Sequence, residues 1–150
     1  MSNLLPYETT VEVRDTCLCL HAQRAARALA RRFDEVLRPV GLTNGQFSLL
    51  MALNRPEPPS PGSVAELLAM DRTTLIAALK PLERQGLVET AVAERDRRAR
   101  RLILTEAGRR RLADALPLWR AAHRDLEVAT PGLRADEARA MLRALSTRAD

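Results

Sequence analysis

From Arg14 to Val40 the apolar positions fall at Leu18, Ala22, Ala25, Leu29, Phe33, Val36 and Val40. Steps of three and four residues place them on one face of a long helix. Asp34 and Arg38 add an i,i+4 pair in the favourable order. Pro39 and Gly41 then stop the helix. Residues 1–13 show no clear period and are expected to form an arm.

The next start is marked by Thr43-Asn44-Gly45-Gln46, a capping box, with Leu42 and Phe47 placed to close a hydrophobic staple. Phe47, Leu50 and Met51 are expected to form the buried stripe behind it. Residues 55–62, RPEPPSPG, hold four prolines and a glycine and predict a loop. Ser63-Val64-Ala65-Glu66 reads as a second capping box, opening a short helix through about Ala69. Asp71 can cap another helix from Arg72, with Leu75, Leu79 and Leu82 inward. Pro81 predicts a bend or an end to its regular part, and Gly86-Leu87 a left-handed C-terminal cap.

Val88 to Ala93 and Arg101 to Leu104 read as short strands framing residues 94–100, a hairpin with a charged tip. Thr105 caps a helix to about Ala129, with a seam of Leu112, Leu116, Trp119, His123 and Leu126 and a kink at Pro117. Pro131-Gly132 breaks the chain before a last amphipathic helix, Leu133 to about Thr147. The expected fold is mainly α with a two-stranded hairpin.

At 150 residues the chain makes about one domain, with core enough to need no disulfide or metal staple. No apolar run approaches the roughly 18 residues of a membrane span. No basic-then-apolar leader is visible, so a cytoplasmic location is expected. Two cysteines make no secreted framework, and 3% aromatic residues argue against base stacking along single strands. Charge sharpens the picture. The net charge is +5, and residues 94–111, with eight arginines and three acids, account for all of it. Lys80 is the one lysine among 24 cations, and Arg grips phosphate and guanine in a bidentate way that Lys cannot copy.

Two helices joined by a tight turn and followed by a charged hairpin make a winged helix-turn-helix plan. A helix fits the major groove of B-DNA, and a slim hairpin can reach the adjacent minor groove. The chain resembles the MarR family of bacterial transcriptional regulators. The likeness is carried by Gly41-Leu42-Thr43, Gln46-Phe47-Ser48-Leu49-Leu50, Asp71-Arg72-Thr73-Thr74-Leu75 and Leu82-Glu83-Arg84-Gln85-Gly86-Leu87-Val88. Asp96-Arg97-Arg98-Ala99 and Leu104-Thr105-Glu106-Ala107-Gly108 complete it.

That resemblance implies a homodimeric repressor of double-stranded DNA, released by a small-molecule effector. Residues 1–40 and 106–150 would form a shared helical base, and 41–105 the winged DNA-binding region. A two-fold dimer fits a palindromic operator with half-sites about one helical turn apart. Asp96 and Arg98 match the family's wing Asp-x-Arg, in which the Arg enters the minor groove and the Asp orients it. Arg72, Thr73 and Thr74 match the start of its recognition helix. Two departures stand out: Ile76, Ala77 and Ala78 replace polar residues common in relatives, and Ala93 replaces an acid. Alanine can touch a thymine methyl but cannot hydrogen-bond a base edge.

The expected DNA contacts are therefore Arg72, Thr73, Thr74, Lys80, Asp96, Arg97, Arg98 and Arg100; the bland alternative is a solvated charged loop beside an exposed helix turn. Arg109, Arg110 and Arg111 point different ways, so that one would serve DNA and others would pair with acids. His21, Phe47, Met51, Trp119 and His123 are candidates for an effector pocket, or ordinary seam residues. Cys17 and Cys19 lie two apart, where one helix turns them about 200° from each other. They are either packing residues or thiols for redox control. No zinc spacing, phosphate loop or nucleophile elbow is present, so neither metal, cofactor nor enzyme activity is expected. A winged-helix dimer acting mainly through protein partners is the other class, favoured by the apolar Ile76-Ala77-Ala78 stretch.

Overall fold

Nine side chains are sealed completely from water: Leu37, Leu50, Leu75, Leu79, Leu82, Leu87, Leu102, Val64 and Val88. They come from the middle of the chain, residues 37–102, in a computed structural model that describes residues 4–147. The order is α1 (Tyr7–Thr16), α2 (Leu18–Leu37), a 3-10 turn (Arg38–Val40), α3 (Asn44–Leu53), α4 (Pro61–Leu67), α5 (Arg72–Arg84), β1 (Val88–Ala93), β2 (Asp96–Leu104), α6 (Glu106–Ala129) and α7 (Ala135–Ser146). α3, α4, α5 and the hairpin enclose the core, and Leu112 and Ala115 of α6 close it. α2 lies along α6. No helix of the described residues is long and apolar enough to cross a membrane.

The N-terminus departs from expectation. Residues 7–13 of the expected arm, with 14–16 of the expected long helix, form α1; residues 1–3 of the arm, and 148–150 at the other end, lie outside the described residues. α1 buries no residue, which is why no periodicity marks it. The long helix expected from Arg14 is broken at Cys17, whose backbone is extended (φ −70°, ψ 109°). The Thr16 hydroxyl turns back to the Glu12 carbonyl (2.7 Å), and Cys17 Sγ accepts the Leu20 amide (3.4 Å) as the N-cap of α2. Both side chains compete with the helix ladder, which a stripe of apolar residues does not reveal.

The α3 capping box is present in full: Thr43 Oγ1 accepts from the Gln46 amide and Gln46 Oε1 from the Thr43 amide, each at 3.1 Å. Asp34 reinforces it from α2, accepting the Asn44 amide and side-chain NH2, both at 2.8 Å. Met51, expected in the buried stripe, is instead 40% exposed. The start of α4 also moves. Ser60, not Ser63, is its cap, accepting the Ser63 amide at 3.2 Å. Pro61 takes the first helical position, where a missing amide proton costs nothing. Ser63 spends its hydroxyl on the Ser60 carbonyl (3.0 Å). Pro81 and Pro117 end neither helix. Ala77 and Ala113, whose carbonyls lose a donor, are exposed, so water can replace the bond.

The hairpin reaches further than its β-branched residues suggest. β2 starts at Asp96, so only Glu94 and Arg95 make the turn. Val92 pairs with Arg100 and Ala93 with Asp96, which leaves Arg97, Arg98 and Ala99 as a bulge. The hairpin base is tied on both sides. Leu102 donates its amide to the Pro59 carbonyl (2.9 Å), and the Thr105 amide goes to the Leu87 carbonyl (3.1 Å). Thr105 Oγ1 donates to the Gly86 carbonyl (2.7 Å) and accepts the Gly108 amide (3.0 Å), joining hairpin and α6 through one hydroxyl.

Gly108 is buried against that junction. A Cβ there would run into the Leu87 carbonyl oxygen and lie 2.6 Å from Leu104 Cδ1. Backbone cannot yield as a side-chain tip can. Gly108→Ala is therefore expected to destabilise the fold by about 1–3 kcal/mol despite the better helix propensity of alanine. Urea denaturation followed by circular dichroism measures this; a midpoint at or above wild type would refute the tight contact.

Candidate nucleic-acid interface

α4 and α5 meet through a turn at Leu68–Met70. The Ala69 amide bonds to the Glu66 carbonyl (3.1 Å) and the Met70 amide to the Ala65 carbonyl (2.8 Å), a Schellman arrangement. Gly86 after α5 makes the same pattern, its amide meeting the Glu83 carbonyl (3.0 Å) and the Leu87 amide the Leu82 carbonyl (3.0 Å). Gly86 suits the left-handed conformation; Ala69, at φ 52°, does not.

Asp71 caps α5, accepting the Thr74 amide (2.8 Å) and the Thr74 hydroxyl (2.7 Å). With Leu75, Leu79 and Leu82 buried, the opposite stripe of α5 faces solvent. Arg72, Thr73, Ile76, Ala77 and Lys80 surround a shallow depression there. Thr74, expected beside Arg72 and Thr73, spends its hydroxyl on the cap. β1 packs on α5, and Thr90 Oγ1 donates to Glu83 Oε1 (2.7 Å). The helix and the hairpin are thus held to each other.

Arg95, Arg97, Arg98, Arg100 and Arg101 are all exposed, and none forms an ion pair among the described residues. Asp96 does not hold the Arg98 guanidinium. Its Oδ1 accepts the Arg98 backbone amide (2.9 Å), fixing the bulge and leaving the side chain free. Arg100 folds back on the Arg97 carbonyl (2.9 Å). On α6, Arg109 and Arg110 share Glu106 at 3.7 and 3.3 Å, while half-buried Arg111 reaches the chain at Gly41.

A cleft of about 190 Å³ opens between α2, α3 and α6. It gathers three of the expected pocket residues, Phe47, Trp119 and His123. Phe47 stacks on Trp119 with ring centres 6.0 Å apart; His123 lies 4.3 Å from Trp119 and 5.0 Å from Phe33. The other two do not join them. His21 is exposed beside Arg24 and Arg31 of α2, its Nδ1 2.7 Å from the Cys17 carbonyl, and Met51 lines no part of the cleft. Sequence reasoning missed Phe33, Asn44 and Ser48; the pairing of the α2 stripe with the α6 seam was the available signal for Phe33. Cys17 and Cys19 are free thiols, and because Cys17 caps α2, the same-helix geometry expected for the pair does not hold.

Three short helices, α3, α4 and α5, leading into a paired, arginine-tipped ribbon define a winged helix-turn-helix protein. The MarR family pattern matches residues 40–99. Over 117 residues the chain is 31% identical to the uncharacterized HTH-type transcriptional regulator YybA of Bacillus subtilis (strain 168), covering 75% of this chain and 73% of YybA. The M. tuberculosis transcriptional regulator MosR, solved in complex with DNA, matches with a TM-score of 0.78 and 34% identity, over 87% of this chain and 93% of that one. The repressor CouR bound to p-coumaroyl-CoA matches with a TM-score of 0.78 and 27% identity, over 91% of this chain and 96% of that one. The chain belongs to the MarR family of DNA-binding transcriptional regulators.

Asp34 and Asp71 both titrate below the ordinary carboxylate value of 3.8. Asp34 is lowered first by the Asn44 side chain and then by its amide; Asp71 by the Thr74 amide and then its hydroxyl. A carboxyl depressed in the fold stabilises it fully above the unfolded value and loses that contribution as pH falls through the folded value. Stability is thus expected to fall as pH drops below 3.8, and a combined Asp34→Asn, Asp71→Asn variant to show a flatter acid limb in urea midpoints taken from pH 7 to 3. Ala69→Gly is expected to raise stability by about 0.5–1 kcal/mol, because relief of left-handed strain exceeds the added chain entropy. A lower melting midpoint for this variant would contradict the strained turn.

Proposed function

We propose that the protein is a homodimeric, sequence-specific repressor that binds double-stranded DNA and is released by a small molecule. The observation that carries this reading is the cluster of five exposed hairpin arginines without an acidic partner among the described residues. Solvated surfaces normally intersperse both signs, whereas phosphate recognition needs free guanidinium groups. Arg72, Thr73 and Lys80 would meet the major-groove side, and Arg97, Arg98 and Arg100 the adjacent minor groove and its phosphates; Thr74 would serve the cap. Asp96 would act by shaping the bulge that presents Arg98. MosR, 34% identical, is solved with DNA, which supports the same use of this surface.

The homodimer draws on the chain's two ends. α1 and α7 bury no residue, yet Tyr7, Val13, Leu18, Val128, Met141, Leu142 and Leu145 expose apolar surface. Such patches are uncommon on monomers. Residues 1–40 and 106–150 are assigned to a shared base and 41–105 to the winged region, matching a palindromic operator. The cytoplasm is the natural location, and no catalytic role is assigned.

The aromatic cleft beside α3 is the assigned effector site. CouR, 27% identical, is solved with p-coumaroyl-CoA. At about 190 Å³ the cleft is smaller than the usual ligand pocket of roughly 300–1,000 Å³. An effector therefore has to part α2 and α6 from α3, and any ligand that prefers the parted state weakens DNA binding by the factor by which DNA weakens the ligand. Exposed, free Cys19 and the helix break at Cys17 favour a second reading, control by thiol oxidation.

Titration of a labelled fragment of DNA upstream of the coding region tests the leading reading. Affinity is expected to fall steeply with salt, and Arg98→Ala to cost at least about 1 kcal/mol. Unchanged affinity would remove Arg98 from the interface, and salt-insensitive binding would remove the phosphate contacts.

A further inference from the structure

Ile76 is 43% exposed in the middle of the solvent-facing stripe of α5. It is not needed for packing, because Leu75, Leu79 and Leu82 already fill the inner side. Ile76 and Ala77 form the floor of the depression, with Arg72 and Thr73 at one end and Lys80 at the other. Neither Arg72 nor Lys80 forms an ion pair among the described residues. Eight helical residues rise about 12 Å, which is also about the width of the B-DNA major groove. The face is a hydrocarbon strip between two cations at groove-wall spacing.

No side chain from residue 76 to 78 can donate or accept a hydrogen bond. Of the base pairs, only those with thymine offer hydrocarbon to the major groove, as the C5 methyl. We propose that Ile76, helped by Ala77, selects thymine through this methyl group, with Arg72 and Lys80 holding phosphates on opposite strands. The inference rests on the DNA-binding reading above and adds what the helix selects.

The test starts with duplexes enriched by the full-length protein from a randomised library. The tightest duplex is resynthesised with deoxyuridine in place of thymidine, one position at a time, and binding is measured by fluorescence anisotropy. Losing one buried methyl is expected to weaken binding about fourfold at one or two positions per half-site. Ile76→Ser is expected to bind thymidine and deoxyuridine duplexes equally, and Ile76→Val to keep most of the preference. Circular dichroism verifies that both variants fold. Equal affinity for both bases at every position overturns the inference and leaves DNA binding intact, as does a preference that survives Ile76→Ser. Failure to enrich any duplex overturns both readings.

Discussion

The junction at Thr105 and Gly108 decides where the hairpin stands. One threonine hydroxyl bonds the carbonyl before β1 and the first turn of α6, and the bare Cα of Gly108 lets that turn close on Leu87. Strand base and long helix are therefore joined by hydrogen bonds and a close packing contact. Leu87, Val88, Leu102 and Leu104 sit beneath the junction as core, so burial and hydrogen bonding reinforce the same geometry. α5 is tied to the hairpin through the β1 contact and the Thr90–Glu83 bond. Thr105 alone separates β2 from α6, and its side chain and amide are both bonded.

Charge around this junction is segregated by local chemistry. Glu106 sits in the first turn of α6, where the helix dipole favours an anion, and it draws Arg109 and Arg110 to itself. Arg111 turns inward toward Gly41. The hairpin has Glu94 and Asp96 among its arginines, but Asp96 is committed to a main-chain amide. A carboxylate used to hold backbone is still an anion, yet its position is fixed, so it shapes the loop and leaves the guanidinium groups without an ion pair among the described residues.

Signals confined to a few neighbouring residues were the most legible. The Thr43 box, the Asp71 and Thr105 caps and the turn at Gly86 are each local hydrogen-bond patterns that the sequence spells out. Where two local signals competed, one overrode the other. Ser60 with Pro61 outranked Ser63 with Glu66, and Thr16 with Cys17 moved the start of the long helix from Arg14 to Leu18. The bulge at Arg97–Ala99 was invisible because it depends on cross-strand register, not composition. Of the cleft, the α6 residues were legible from their seam, whereas Phe33, Asn44 and Ser48 belong to it only because α2 and α3 cross α6 there. His21 and Met51 fell away because helix phase, not residue type, decides which side chains meet.

The bond from Leu102 to the Pro59 carbonyl lies on the side of β2 away from β1. A two-stranded ribbon has two open margins, each able to recruit a strand from another molecule. Here the proline-rich connection between α3 and α4 occupies one of them at its base, and proline offers no amide proton with which to continue a ladder. The connection is therefore a guard rail against sheet polymerisation as well as a spacer. It closes the base of that margin to strand addition while the arginine-bearing tip stays exposed.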